Sequence, residues 1–207
     1  MSDELDAATQ RLIDEARIIT EPDLRAPSLL PGWSRAHVLA HLARGADAMR
    51  NLLIGARAGQ DRPAYASSKA READIDRSAA ARAKELVEDL ADSAMALRTV
   101  ARQLPDEAWR YPLHVLDSAR FPASQLLTRR LAEVELHHCD LGIGYGHDQW
   151  SAFYAAMELD EPMRSQRAER LGYSQPESVR ARSMARKMPP YRPGQSLPGS
   201  WIGRRRA

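Results

Sequence analysis

The chain has 207 residues, 43% of them hydrophobic, which is enough to bury one good core. Its 30 basic and 28 acidic residues nearly cancel, so the formal charge of +2 gives no argument for a nucleic-acid partner. A single cysteine, Cys139, excludes an intramolecular disulfide framework. The sequence has no apolar run near 18 residues and no signal-peptide pattern, so we expect a cytoplasmic protein without a membrane partner.

Two amphipathic helices are predicted in the first third of the chain. Apolar residues spaced by three and four predict a helix over about residues 3–19, which Glu21-Pro22 ends. A loop rich in proline and leucine follows over residues 26–33. Ser34 is the predicted N-cap of a second helix that runs to about Ala58. Its apolar stripe consists of Val38, Leu42, Ala46, Met49, Leu53 and Ala56.

The middle of the chain is predicted as a polar connection followed by a third helix. Residues 59–76 contain glycine, proline and paired serines, and they predict a connecting loop with room for one helical turn. Ser78 opens the predicted third helix, and Pro105 ends it. Residues 109–121 have no helical period, so we interpret them as an ordered crossover that could be extended.

A fourth helix and a weaker fifth one complete the predicted elements. Pro122 suits position N1 of a helix over about residues 122–141, and Gly142 is the first of three closely spaced glycines that stop it. The weaker helix covers about residues 150–171. Four main helices with one long crossover predict an all-α four-helix bundle over residues 1–171, and the cores of such bundles accommodate metal sites.

The tail over residues 172–207 differs from the body of the chain. It contains five prolines, and nothing after Glu177 is acidic although eight arginine and lysine residues follow. Because it lacks apolar periodicity, we expect it to be disordered. Its basic charge is only a weak argument for binding to nucleic acid, since the tail has no folded nucleic-acid-binding module and no interleaved aromatic residues.

Three residues of the second and fourth helices predict a metal site. Glu133 and His137 are four residues apart, so on a helix they share a face and lie about 6 Å apart along the axis. His41, on the facing helix, would add a third ligand. All three fall at the edge of their apolar stripes, where a half-buried cavity would lie. The alternatives are an ordinary ion pair for Glu133 and His137, and a structural role for His41.

For the residues close to these three in the sequence, we predict structural rather than metal-binding roles. His138 lies nearer the middle of its apolar stripe, which predicts a buried, hydrogen-bonded side chain. Glu135 is predicted to be solvated, and Cys139 lies opposite the core on the helical wheel. Asp140 could orient the other ring nitrogen of His137 or pair with an arginine. His37, in the first turn of its helix, could cap the helix or hydrogen-bond to the preceding loop.

Two sequence blocks together resemble a known family. They read L-P-G-W-S-R-A-H-V-L-A-H over residues 30–41 and R-L-A-E-V-E-L-H-H-C-D-L-G over residues 130–142. As a pair they are similar to the N-terminal domain of the mycothiol-dependent maleylpyruvate isomerase family, within the DinB-like (YfiT-like) metal-binding four-helix bundles. The resemblance covers about residues 5–170. It implies a divalent metal, most often zinc, held by His41, Glu133 and His137.

The resemblance also implies a reaction. Zinc with three protein ligands keeps a position for water or a thiol and lowers the pKa of that thiol. Family members activate mycothiol, the small thiol of actinobacteria, which isomerises a cis double bond or attacks an electrophile and stays attached. We therefore expect a mycothiol-dependent isomerase or S-transferase acting on a small electrophile, with no catalytic side chain beyond the metal-bound thiol or water.

Two departures from the family pattern lead to an alternative. Gly45 stands where a polar residue, often asparagine, is expected four positions after the first ligand. Full-length family members also carry a C-terminal α/β domain that contributes to the substrate site, and we expect this chain to lack it. The alternative is a catalytically silent bundle that binds metal or a partner. The sequence fixes neither the substrate nor the oligomeric state.

Overall fold

A computed structural model describes residues 1–116 and 119–172 of the chain. The tail that we predict to be disordered lies outside the described residues, apart from Gly172. The described α-helices are α1 (Ser2–Arg17), α2 (Glu21–Arg25), α3 (Arg35–Ala58), α4 (Ser68–Ala79), α5 (Ala83–Arg102), α6 (Leu126–Asp140), α7 (Ala152–Ala156) and α8 (Met163–Leu171).

Four of these helices form a bundle. Helix α1 packs against α5 and α6, and α3 packs against the same two helices from the opposite side. Helix α4 covers α3, and α8 covers α6. The predicted all-α four-helix bundle is therefore confirmed. No helix in the described part of the chain is long and apolar enough to cross a membrane.

Helix α3 begins as the sequence predicts. The Ser34 hydroxyl accepts a hydrogen bond from the backbone N–H of His37, and Nδ1 of His37 accepts one from the backbone N–H of Ser34. This reciprocal capping satisfies donors that a helix start leaves free. Gly59, with a φ of 64°, ends the helix in the left-handed conformation that glycine adopts without strain. The register of α3 is thus fixed at both ends, which fixes where His41 lies.

The predicted connection between the second and third helices is partly wrong. Residues 68–79 form the complete helix α4, capped by the Ser67 hydroxyl, and α5 begins at Ala83 rather than at Ser78. Only Ile75 and Ala79 of α4 are buried. A helix that contributes so few apolar residues leaves little periodicity in the sequence, because its position depends on packing against α3.

The crossover contains a short antiparallel pairing. Strand β1 (Pro112–Leu113) pairs with β2 (Phe121–Pro122), and a 3₁₀ turn over Ala123–Gln125 leads into α6. Pro122 therefore belongs to a strand, and its predicted place at the first helical position is wrong. The predicted helix over residues 150–171 is divided into α7 and α8, because the backbone becomes extended at Met157, and Pro162 directly precedes α8.

The bundle core consists of two hydrophobic clusters. On α3 the first cluster ends at Ala43 and the second begins at Ala46. On α6 the second cluster includes Leu126 and the first begins at Leu131. Buried Arg130 lies at this junction. Arg130, which donates to Glu133 of the predicted site, therefore lies where the two apolar cores meet.

Candidate functional site

Helices α3 and α6 bring the predicted ligands together. Nε2 of His41 lies 3.2 Å from Nε2 of His137, with the two rings nearly perpendicular. Nε2 of His41 also lies 3.3 Å from Oε1 of Glu133. His41 is only 7% exposed. Two imidazoles and one carboxylate thus meet in a shielded position between the helices.

These separations match the donor spacing of a small metal site. In a tetrahedral zinc site with bonds of about 2.0 Å, two ligand atoms lie about 3.3 Å apart. Nevertheless, the described residues contain no group of three or more His, Cys, Asp or Glu side chains arranged to hold a metal ion as they stand. The three side chains contact one another and two arginines instead.

Asp140 makes both of the contacts that the sequence left as alternatives. Its Oδ2 lies 2.9 Å from Nδ1 of His137, and Arg170 of α8 forms two hydrogen bonds to the same carboxylate. Burial alone would raise the pKa of Asp140, but the hydrogen bond from His137 and the charge and hydrogen bonds of Arg170 outweigh it, so the pKa lies below its ordinary value. Asp140 is therefore an acceptor, which places the His137 proton on Nδ1 and leaves a lone pair on Nε2.

Glu133 is held by Arg130, and Gly45 makes room for the pair. Nη1 of Arg130 donates to Oε2 of Glu133 over 2.9 Å. A Cβ atom at position 45 would lie 3.0 Å from Oε1 of Glu133 and 3.2 Å from Nη1 of Arg130. Glycine at this position thus lets the carboxylate and the guanidinium approach the backbone of α3. The unexpected glycine is explained by the buried arginine opposite it.

Arg71 of α4 contacts the other ring nitrogen of His41. Its Nη2 lies 3.1 Å from Nδ1 of His41. A guanidinium can only donate, so Nδ1 accepts and the His41 proton lies on Nε2. Burial lowers the pKa of His41 well below its ordinary value, and the positive charges of Arg71 and Arg130 add to this effect. His41 is therefore a neutral imidazole near pH 7.

Aromatic side chains form the walls of the site. The Trp33 ring packs edge-on against His41, with centroids 5.5 Å apart. The Arg71 guanidinium lies 5.7 Å from the centroid of the Tyr65 ring. Burial raises the pKa of Tyr65, and the nearby charge of Glu133 raises it further. Tyr65 is thus a neutral neighbour of the carboxylate.

Sequence reasoning did not find five residues around the three ligands: Trp33, Tyr65, Arg71, Arg130 and Arg170. Tyr65, Arg71 and Arg170 come from loops and helices that only the tertiary fold brings to α3 and α6. Trp33 and Arg130 lie in the two blocks that carry the family resemblance, which was the one available signal.

Two interpretations of residues on the other side of α6, Glu135 and Cys139, are wrong. Glu135, predicted to be solvated, is 1% exposed, and it accepts hydrogen bonds from Arg11 of α1 and from Tyr145. Cys139, predicted to lie opposite the core, is buried, and burial raises the pKa of its thiol to about 12. His138 is buried and hydrogen-bonded to Glu15 as predicted. Both errors arise because α1 and the segment after α6 cover a face that looks polar on the wheel.

The site residues fall within a recognised family domain. The family model described as mycothiol maleylpyruvate isomerase N-terminal domain matches residues 5–142. The chain belongs to this family. The matched range includes His41, Glu133, His137 and Asp140, but it ends before α8 and Arg170.

The family domain is also similar to two solved structures. One is the mycothiol-dependent maleylpyruvate isomerase, at 27% identity, and the other is a histidine-to-alanine variant of it, at 26% identity. In both comparisons the TM-score is 0.69, and the alignment covers 72% of this chain and 62% of the other. The chain thus spans less than two thirds of the length of these relatives. No curated protein matches the chain.

Proposed function

We propose that this chain binds a divalent metal and uses mycothiol to isomerise or conjugate a small electrophile. The nitrogen and oxygen donors of the site favour zinc as the metal. The supporting observation is that His137 Nε2 and Glu133 Oε1 both lie within 3.3 Å of His41 Nε2. Membership of the family and likeness to maleylpyruvate isomerase support the choice of thiol and reaction class.

His41, Glu133 and His137 would hold the metal. When bound, zinc supplies an open coordination position at which a thiol loses its proton near neutral pH. Asp140 keeps the His137 proton on Nδ1, so that Nε2 is free to ligate. Arg130 holds one oxygen of Glu133 and leaves the other oxygen directed at His41.

The chain's own thiol is poorly suited to replace mycothiol. Cys139 is 3% exposed, and the raised pKa of about 12 keeps it protonated at neutral pH. The nucleophile must therefore be supplied as a cosubstrate. Trp33, which packs against His41, and Tyr65, which lies near Glu133, border the place where that nucleophile would bind.

Metal content tests the ligand set. Purified protein loaded with zinc or nickel should hold close to one ion per chain by elemental analysis, and His41→Ala and His137→Ala should both lose it. His138→Gln is the matched control, because it changes the adjacent imidazole, whose ring nitrogen faces Glu15 instead. Full metal retention in both alanine variants would contradict the site, and loss in the control alone would mean that α6 presents the other histidine.

Two activity assays separate the reaction classes. An S-transferase consumes mycothiol as it modifies an electrophile, whereas an isomerase returns the thiol and converts maleylpyruvate with catalytic amounts of it. Metal-loaded wild-type protein should be active in at least one assay and His137→Ala in neither. A protein that binds metal but is inactive in both would be the alternative, a silent metal- or partner-binding bundle.

A further inference from the structure

We propose that Arg170 of α8 is a positioning residue that fixes the orientation of His137 by clamping Asp140. The inference rests on the proposed function to the extent that His137 is a proposed metal ligand. It adds to the site a residue that lies outside the segment matched by the family model, which ends at residue 142.

The clamp is a buried, two-point ion pair. Nε of Arg170 donates to Oδ1 of Asp140 over 3.1 Å, and Nη2 donates to Oδ2 over 2.8 Å. Arg170 is 1% exposed and Asp140 is 0% exposed. A fork-shaped guanidinium that meets both oxygens fixes the plane of the carboxylate as well as its position. Asp140 therefore has little freedom to rotate.

The fixed plane of the Asp140 carboxylate determines the orientation and the tautomer of the His137 imidazole. Oδ2 of Asp140 accepts from Arg170 and from Nδ1 of His137 at the same time, the latter over 2.9 Å. With the carboxylate held, the remaining lone-pair direction on Oδ2 sets the angle of the imidazole ring. Since the acceptor faces Nδ1, the opposite ring nitrogen carries a lone pair and faces His41.

The alternative role for Arg170 is simply to dock α8 on α6, and Arg167 provides the comparison. Nη1 of Arg167 donates to the backbone carbonyls of Tyr154 and Met157 over 2.9 Å and 2.8 Å. Arg167 thus anchors the same helix to the preceding segment, whereas Arg170 anchors it to the partner of His137. Loss of either arginine should loosen the packing of α8, but only loss of Arg170 should change the orientation of the His137 imidazole.

The experiment compares Arg170→Gln and Arg167→Gln in the full chain. In metal-free protein labelled with 15N-histidine, NMR reports the His137 tautomer, which should be the Nδ1-protonated form in wild type and in Arg167→Gln. Arg170→Gln should populate both tautomers. In competition with a chelator, the zinc affinity of Arg170→Gln should fall about 10–100-fold, while that of Arg167→Gln stays near wild type.

Arg170→Lys keeps the proposal testable if the glutamine variant does not fold. Lysine preserves the charge that Asp140 needs but lacks the two-point fork, so a fall in zinc affinity smaller than in Arg170→Gln is expected. Wild-type tautomer and wild-type affinity in the Arg170 variants would overturn the proposal. If wild-type protein takes up no metal, the proposed function fails, and the tautomer of His137 still decides the role of Arg170.

Discussion

The guanidinium of Arg71 and a metal ion would compete for the same imidazole. His41 accepts from Arg71 at Nδ1, which keeps its proton on Nε2, the nitrogen that faces His137 and Glu133. Ligation through Nε2 requires the proton to move to Nδ1, where a ligating histidine normally donates to a carboxylate, carbonyl or water. Arg71 cannot accept that proton. Metal binding must therefore displace Arg71 from His41.

Removal of this competitor should strengthen metal binding. We expect Arg71→Ala to raise the zinc affinity about tenfold, which corresponds to about 1.4 kcal/mol, the scale of one charged hydrogen bond. Chelator competition measures it. Arg77→Ala is the control, because Arg77 lies on the same helix, is 74% exposed and pairs with Asp74. An equal gain in both variants would show that net charge, and not the His41 contact, limits affinity.

At the scale of elements, α6 presents different chemistry to its two neighbours. Glu133, His137 and Asp140 face the site, whereas Glu135 and His138 face α1. The first set was predictable, because i and i+4 spacing on one helix is a local property of the sequence. The environment of Glu135 was not, since its partner Arg11 lies 124 residues away. Sequence periodicity identifies a face of a helix, but not what covers it.

His138, on the face of α6 that lies toward α1, should make the free energy of unfolding depend on pH. His138 stacks on Tyr145, its Nε2 lies 3.0 Å from the Glu15 carboxylate, and burial lowers its pKa below the ordinary value. Its Nδ1 has no hydrogen-bond partner among the described residues, so a second proton there would be unsatisfied. Below about pH 6.5 the unfolded chain binds a proton that the folded protein does not, so stability falls as pH falls.

His138→Gln tests this linkage. The variant should be less stable than wild type at pH 7.5 by about 1–3 kcal/mol, since the stacking and packing of the ring are lost. Between pH 6.5 and 5.5 it should lose less further stability than wild type, by up to about 1.4 kcal/mol. Urea denaturation of chelator-treated protein measures both effects. Parallel pH profiles would show that His138 does not carry the dependence.

At the scale of the whole molecule, the four bundle helices were predictable and the covering elements were not. Helices α1, α3, α5 and α6 carry apolar stripes that are visible in the sequence, although α5 begins later and α6 begins with a 3₁₀ turn. Helix α4 buries few residues, and its place on α3 is set by tertiary packing. Yet α4 supplies Arg71 and α8 supplies Arg170. The residues that adjust the site therefore come from the elements that periodicity predicts least well.

Two truncations test whether α8 completes the bundle. A chain ending after residue 172 retains α8, and we expect it to keep its helical circular dichroism, melting temperature and bound zinc, because the described contacts of the site come from residues up to Arg170. A chain ending after residue 162 lacks Arg170 and leaves the buried charge of Asp140 without its guanidinium. Loss of one partner of a buried pair costs about 3–5 kcal/mol, so this chain should melt lower and bind zinc more weakly. Equal loss in both truncations would instead place part of the supporting structure beyond residue 172.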